Sequence, residues 1–259
     1  MRLDGQRVVV IGGISGIGLA VARQAQEAGA RVLVAGRSPE RVAQALSQLG
    51  GAAMGESVDA RDEAALGHFF GRFGGGGGSG GGGGVEADAA AIDHLVVTVG
   101  PGAPKQRYAS FVEQPLADAH ALFDNKFWAQ YLCARLAAPY VARGGSITLF
   151  GGGAARKPVR AMAVLAAVQA AIEGLMRGMA LDLAPVRVNA VAPGRIASSS
   201  FAAIPVPERE AMFKAWAESL PVQRIGTPDD AAAAALYLMG NRYTTGHVLY
   251  VDGGHALAG

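Results

Sequence analysis

Residues 7–18 read RVVVIGGISGIG, and this stretch decides the fold. Its first five residues form a short, mostly apolar run that does not alternate, which predicts a strand buried on both faces. Residues 17–28 have helical spacing and end at Gly29. Glycine is needed where a chain turns tightly or lets a pyrophosphate approach its backbone, and the following helix offers the phosphates free N–H groups. A glycine cluster between a strand and a helix therefore predicts a dinucleotide-binding turn.

The rest of the chain continues this alternation of strands and helices. Strands are predicted at residues 31–35, 53–58, 94–99, 146–150, 186–192 and 248–251, and helices at 40–49, 63–73, 116–141 and 160–183. Such alternation predicts a parallel sheet covered by helices on both faces. We therefore expect one doubly wound, Rossmann-type α/β domain over residues 1–259.

Residues 74–84 are all glycine except Ser79. A tract of this composition is a flexible coil without helical or sheet preference. The alternation resumes unchanged after it, so we interpret it as a surface loop within the domain. Its glycines are not a phosphate loop, because no helix begins directly after them.

Composition and charge exclude several classes of protein. The net charge is +2 and the basic residues are scattered, which argues against a nucleic-acid partner. The chain has one cysteine, Cys133, and no metal-ligand spacing, so we expect no disulfide, no metal site and a reducing cytoplasm. We expect Cys133 to be a small buried hydrophobe. No signal peptide and no uninterrupted apolar run of bilayer length are found, so we expect no membrane partner.

The end of the second strand indicates which dinucleotide binds. An acidic residue there would bind a ribose 2′-hydroxyl, but the chain has Gly36-Arg37-Ser38. Arg37 can bind a 2′-phosphate through two N–H groups, which predicts NADP(H); alternatively it is a solvated strand-end residue. Asp59, after the third strand, is placed to accept a bond from the adenine amino group, or else forms an Asx turn.

Several motifs along the chain resemble the classical short-chain dehydrogenase/reductase family. They are the Gly12-Gly16-Gly18 spacing, the segment 92–100, the segment RVNAVAPG at 187–194, and GTPDD at 226–230 with VDGG at 251–254. The resemblance implies that a segment after the sixth strand covers the nicotinamide, with Ser198 where a threonine usually binds the carboxamide. The candidate cofactor-binding residues are Gly12, Ile14, Ser15, Gly16, Ile17, Gly18, Arg37, Ser38, Asp59, Ala60, Val99, Gly100, Gln169, Pro193, Gly194, Ile196 and Ser198.

The same resemblance implies Asn, Ser, Tyr and Lys in the active site, and this chain departs from all four. Lys126 stands at the Asn position, with Asn125 beside it, and Gly152, Leu165 and Gln169 stand at the other three. Neither leucine nor glycine has a hydroxyl to donate. Gln169 can bind the nicotinamide ribose only as a neutral group.

Three functions remain open at this point. The first is an NADP(H)-dependent oxidoreductase acting on a carbonyl or alcohol, whose proton comes from Lys126 or, more weakly, from Tyr108 or His120; the alternative for Lys126 is a lysine whose ammonium reaches solvent. The second is a cofactor-binding sensor or scaffold without chemistry. The third is a non-redox isomerase or lyase on the same fold.

Two further expectations concern the ligand and assembly. Residues of about 195–221 are predicted to form a lid over a small-molecule substrate, with apolar side chains at Phe201, Ile204, Met212, Phe213 and Trp216. The helices at 116–141 and 160–183 resemble those that pair between subunits in the family, and Ala134, Ala137 and Ala138 would allow close approach. We therefore expect a homo-oligomer, either a dimer or a tetramer.

Overall fold

The structure is a computed structural model that describes residues 1–73, 92–100 and 109–258, and its centre is a seven-stranded parallel sheet. The strands lie in the order β3-β2-β1-β4-β5-β6-β7. They are β1 (Arg7–Ile11), β2 (Arg31–Gly36), β3 (Met54–Ser57), β4 (Ile92–Val97), β5 (Val141–Phe150), β6 (Arg187–Pro193) and β7 (Val248–Val251). The predicted glycine loop at 74–84 and Tyr108 lie outside the described residues.

Eight α-helices within these ranges connect the strands. They are α1 (Gly16–Glu27), α2 (Pro39–Leu49), α3 (Glu63–Gly71), α4 (Leu116–Leu122), α5 (Ala129–Ala137), α6 (Ala163–Asp182), α7 (Val206–Ser219) and α8 (Pro228–Gly240). The strand order reverses direction between β1 and β4, the kind of position at which open α/β sheets bind their ligands.

The core has two apolar layers, one on each face of the sheet. Val8 and Val10 of β1 pack with residues of α1, α2 and α8, whereas Val9 and Ile11 pack with residues of α3, α5 and α6. Successive strand side chains point to opposite faces, so a run without alternation fills both layers. The predicted doubly wound fold is confirmed, and Cys133 is fully buried as expected.

The predicted helix over residues 116–141 is wrong at its centre and at its end. A π-helical turn, Phe123–Trp128, separates α4 from α5, and Val141 already pairs with Ile92 in the sheet. The register between β4 and β5 shifts after Ile92, next to Gly145, where an added Cβ would collide with the carbonyl oxygen of Asp93. The predicted strand at 146–150 is therefore only the second half of β5.

Sequence reasoning also left two helices unassigned, α7 and α8. The signal for α8 was present, because Thr227 and Asp230 form a capping box around Pro228 at the first helical position. Helix α7 lies inside the segment predicted as a lid, and none of its residues is buried. Without a buried apolar stripe, α7 has little of the periodicity by which amphipathic helices are recognised.

Helix α6 is long and apolar enough to cross a membrane by length and composition alone, with a mean hydropathy of 1.4. Val168, Ile172 and Met176 on one side of it are fully buried in the core. The helix also carries Glu173, whose carboxylate accepts from Arg177 and from the Tyr250 hydroxyl. Packing against the sheet accounts for its apolar side.

Two of the three alanines predicted to line an intersubunit contact are buried in the core instead. Ala134 and Ala137 are 1% and 0% exposed, because both face the sheet. That part of the prediction is wrong, since helical spacing alone could not show which side of α5 faces the core. The small residues exposed on the neighbouring helix α6 are Ala163, Ala167, Ala170, Gly174 and Gly178.

Candidate functional site

The glycine turn between β1 and α1 is packed so closely that side chains would not fit. Gly12 has φ +87°, and a Cβ there would lie 2.6 Å from the Thr98 hydroxyl oxygen. A Cβ at Gly18 would collide with the carbonyl oxygen of Gly12. Ile14 packs its side chain against Gly36 of β2, which anchors the turn to the neighbouring strand. The backbone of the turn is therefore fixed, and close enough for a ligand phosphate to approach it.

The first turn of α1 leaves its N–H groups available. Ser15 precedes the helix in an extended conformation, and its side chain makes no capping bond within the described chain. No acidic residue lies in that first turn. Gly16 and Ile17 therefore begin a helix whose positive dipole end can receive an anion.

Helix α2 contrasts with this arrangement. The Ser38 hydroxyl accepts from the backbone N–H of Arg41 at 3.2 Å and donates to the Glu40 carboxylate at 2.6 Å. Ser38 was predicted to touch the cofactor, and donation of its hydroxyl to a phosphate would have to replace the bond to Glu40. Arg37, directly before it, is exposed, and its guanidinium pairs with no carboxylate in the described ranges.

Asp59 lies after β3 at the same edge of the sheet, but its carboxylate is already engaged. Arg61 Nη2 lies 2.7 Å from Asp59 Oδ2, and Arg61 Nη1 donates to the side-chain oxygen of Asn125 at 3.2 Å. The guanidinium of Arg61 lowers the pKa of the Asp59 carboxyl. Ala60 between them is buried. The sequence analysis missed Arg61, which the short Asp59-Ala60-Arg61 spacing would have suggested.

Two residues that sequence reasoning missed hold the ends of β4 and β5. The backbone N–H of Thr98 donates to the carbonyl of Ile11 at 2.9 Å, which ties the end of β4 to the glycine turn. Gln130 of α5 is 0% exposed and donates to the carbonyls of Val99 and Phe150 at 3.2 and 2.8 Å. Its Oε1 accepts from the N–H of Phe150 at 3.0 Å. A buried glutamine was not separable from a surface one by sequence alone.

The segment after β6 reaches back to the glycine turn. Gly194 lies against the backbone of Asp252, and Ile196 is buried and pairs with Gly226 in an isolated parallel bridge. A Cβ on Gly16 would lie 3.9 Å from the Cβ of Ser198. Ser198 is thus brought beside the glycine turn, although it lies far from that turn in sequence.

Aromatic side chains hold the first part of the predicted lid together. Phe201 is the last residue of a short 3₁₀ turn, and its ring centroid lies 5.6 Å from that of Phe213 and 5.4 Å from that of Trp216 in α7. The Arg195 guanidinium lies 5.2 Å from the Trp216 ring. The lid function of this segment stays a prediction.

Lys126 is buried, with only 7% of its surface exposed, and it lies on the π-helical turn. Its Nζ donates to the carbonyl oxygen of Gly151 at 3.0 Å. Burial lowers its pKa from 10.5 to about 8, because the charged ammonium loses its hydration. The alternative of a lysine reaching solvent is therefore wrong. π-Turns are frequent at functional sites, and this one places an ammonium beside the end of β5.

Gly152 and Gln169 meet directly. Gly152 is buried after β5 and has φ 173°, extended backbone that any residue adopts. A Cβ on it would lie 2.6 Å from the Cδ and 2.8 Å from the Oε1 of Gln169. Gln169 is 8% exposed, and its Oε1 is buried without a hydrogen-bond partner in the described structure. Leu165, one turn earlier on α6, is half-buried, and His120 is exposed on α4.

Comparisons with known proteins show which family this chain resembles. A family model described as enoyl-(acyl carrier protein) reductase matches residues 12–256. The short-chain dehydrogenase/reductase ATR9 of Stachybotrys chlorohalonatus is 33% identical over 97% of this chain and 97% of its own. A crystal structure of a small-chain dehydrogenase in complex with NADPH is 35% identical, with a TM-score of 0.79 over 98% and 100% of the two chains. The MalC reductase/Diels-Alderase of Malbranchea aurantiaca is 28% identical, with a TM-score of 0.83 over 98% of each chain.

Proposed function

Since this chain belongs to the short-chain dehydrogenase/reductase family, we propose that it is an NADP(H)-dependent reductase of a carbonyl compound, in which Lys126 donates the proton. The observation that carries the proposal is the buried ammonium of Lys126, bonded to Gly151 directly before the glycine at the family's Ser position. A reductase needs a donor there, because neither Gly152 nor Leu165 has a hydroxyl.

The residues present fit an NADP(H) molecule at the carboxyl edge of the sheet. The turn at 12–18 would hold the pyrophosphate, Arg37 the 2′-phosphate, and the segment at 193–198 the nicotinamide end. When bound, the reduced cofactor supplies a hydride. A related small-chain dehydrogenase, similar over 98% of this chain, was solved in complex with NADPH, which supports this assignment.

Replacement of Arg37 by alanine is expected to raise the Kd for NADPH about 10–100-fold and to leave the Kd for NADH nearly unchanged. The reason is the loss of a charge-assisted bond to the 2′-phosphate, worth roughly 1.5–3 kcal/mol. Fluorescence titration with both dinucleotides measures this. Arg31→Ala is the matched control, because Arg31 is exposed at the opposite end of the same strand. An unchanged NADPH affinity in Arg37→Ala contradicts the assignment.

With the reduced cofactor bound, a hydride supplied to the carbonyl carbon would move the π electron pair to the oxygen, and the Lys126 ammonium would give that oxygen a proton. The carbonyl would become an alcohol as the cofactor is oxidised, and Lys126 would be reprotonated before the next turnover, with one proton taken up from solution overall. A lysine with a pKa of about 8 is a better donor near neutral pH than an ordinary one, since its proton is less tightly held.

The experiment that tests the proposal adds NADPH and a panel of ketones, with acetophenone as the aromatic member, and follows the absorbance of the reduced nicotinamide. Turnover supports the reductase. Tight NADPH binding without turnover of any ketone favours the alternative of a sensor or scaffold, which the missing hydroxyls at Gly152 and Leu165 support.

A non-redox reaction is the second candidate, and one relative favours it. MalC, similar over 98% of this chain, is named a reductase and a Diels-Alderase, so this fold accommodates chemistry beyond hydride transfer. For this chain, product formation with the oxidised cofactor, without change in nicotinamide absorbance, would distinguish an isomerase or lyase from the reductase.

We also propose a homo-oligomer that pairs through the exposed side of α6. Gly174→Trp is expected to shift the mass measured by light scattering to that of a monomer, because a Cβ on Gly174 meets no other atom of the described residues within 4 Å. The helix itself should stay formed, since glycine is a poor helix former. Gly71→Trp, exposed on α3, is the control. A monomeric unaltered protein at micromolar concentration would exclude the proposal.

A further inference from the structure

We propose that the side-chain amide of Gln169 binds the carbonyl oxygen of the substrate, from the space that a side chain at position 152 would fill. The inference rests on the proposed reductase function and names the group that orients its substrate. Gln169 stands where the family has a charged lysine, so the resemblance predicts only a cofactor contact for it.

Three carboxamide atoms of Gln169, the Nε2, Cδ and Oε1, all lie within 2.8 Å of the position that a Cβ on Gly152 would take. The statement holds for either orientation of the amide, because nitrogen and oxygen both lie there. A polar group with N–H donors therefore occupies the place of the missing hydroxyl, one residue after the carbonyl that Lys126 binds.

The Gln169 carboxamide is incompletely hydrogen-bonded within the described residues. Gln169 is 92% buried, yet its Oε1 has no hydrogen-bond partner among the described residues. Buried amide groups in folded proteins are nearly always bonded, and an unbonded one is costly. A ligand with an acceptor for the Nε2 and a hydroxyl donor for the Oε1 would satisfy both atoms. A carbonyl substrate supplies the acceptor, and the cofactor's ribose supplies hydroxyl donors.

The substitution Gly152→Ala gives a signature that an ordinary buried glutamine would lack. Gly152 has extended backbone, so alanine is tolerated there without backbone strain. Its added Cβ cannot coexist with the Gln169 carboxamide, which must swing away. Gly152→Ala and Gln169→Ala therefore remove the same interaction by different routes, although only one of them changes the polar side chain.

The experiment is a double-mutant cycle with acetophenone and NADPH. Gly152→Ala and Gln169→Ala are each expected to lower kcat/KM about 10²–10³-fold, the usual effect of losing one donor to a developing oxyanion. The double variant should be no worse than either single one, because the pair acts as a unit. Gly153→Ala is the control, since a Cβ there makes only ordinary contacts of 3.6–3.8 Å. Gly152→Ser in the Gln169→Ala background should restore activity, because the vacated space accepts a hydroxyl.

A second readout does not depend on turnover. The carbonyl stretching band of acetophenone bound to the protein with NADP⁺ should shift to lower frequency, and the shift should be absent in both single variants. Loss of the shift in a protein that reduces no ketone supports carbonyl binding and contradicts the reductase. Reduction with a shift that both variants retain overturns the inference alone. Additive losses, a neutral Gly152→Ala, or no shifted band in the unaltered protein also overturn it.

Discussion

Lys126→Met is expected to lower kcat/KM for ketone reduction about 10²–10⁴-fold, the usual effect of losing a positioned proton donor. Methionine matches the length and the apolar stem of lysine, so the packing around the π-helical turn is kept. It removes only the ammonium that donates to Gly151. Neither Gly152 nor Leu165 has a hydroxyl that could donate the proton instead, so the loss should appear in kcat. The Kd for NADPH should stay within a few-fold of its original value.

Arg143→Met is the control for this experiment, because Arg143 is exposed near the amino end of β5, away from the carboxyl edge of the sheet. It should leave the kinetics unchanged. If Lys126→Met keeps kcat within about threefold of the unaltered protein, Lys126 is not the proton donor. A drop in melting temperature with unchanged kcat would assign Lys126 a structural role.

The pH dependence of kcat follows from the same ammonium. Burial places the pKa of Lys126 at about 8, so the group is mostly protonated at pH 7 and mostly neutral above pH 9. The proton donor is the charged form, and kcat should therefore fall as the pH rises through about 8. A pH–rate profile of Lys126→Met should lack this limb. An ordinary exposed lysine would place the limb near its usual pKa of about 10.4.

Most of the fold could be predicted because its signals are local. The apolar run at Arg7–Ile11 and the glycines after it specify a strand, a turn and a helix within a dozen residues. The π-helical turn could not be predicted in this way. Its residue Lys126 bonds to Gly151 at the end of β5, a contact that is distant in sequence. Helix α7 was not predicted because none of its residues is buried, so its sequence has no apolar stripe.

For the site residues too, what could be predicted depended on whether the signal was local in sequence. Arg37 could be proposed from sequence as a 2′-phosphate ligand, because the end of the second strand determines the choice between two dinucleotides. The burial of Lys126 was not, since a lysine beside Asn125 on an amphipathic helix is compatible with either side of that helix. The contact between Gly152 and Gln169 was the hardest feature to predict. A missing side chain has no sequence signal of its own, and only the fold shows which neighbour fills the space.

The combined variant Lys126→Asn, Gly152→Ser, Leu165→Tyr and Gln169→Lys is expected to reduce acetophenone about 10²–10⁴-fold faster than Lys126→Asn alone, by regaining a positioned acid. The structure explains why all four changes belong together. The Cβ of a serine at position 152 would collide with the Gln169 carboxamide, so Gly152→Ser alone should lower activity as Gly152→Ala does. Gln169→Lys alone would place a second ammonium near Lys126, and two like charges in a buried site oppose each other's ionisation.

The matched control for this variant carries Leu165→Phe in place of Leu165→Tyr. Phenylalanine has the same ring without the hydroxyl, so it should keep the packing and lose the gain. Both proteins should bind NADPH with the same Kd, which separates catalysis from cofactor binding. If the tyrosine variant binds NADPH as tightly as its control and is no faster, Leu165 does not stand at the position of the family's proton donor. If both are equally fast, the gain comes from positions 152 and 169, and the added hydroxyl of the ring has no part in it.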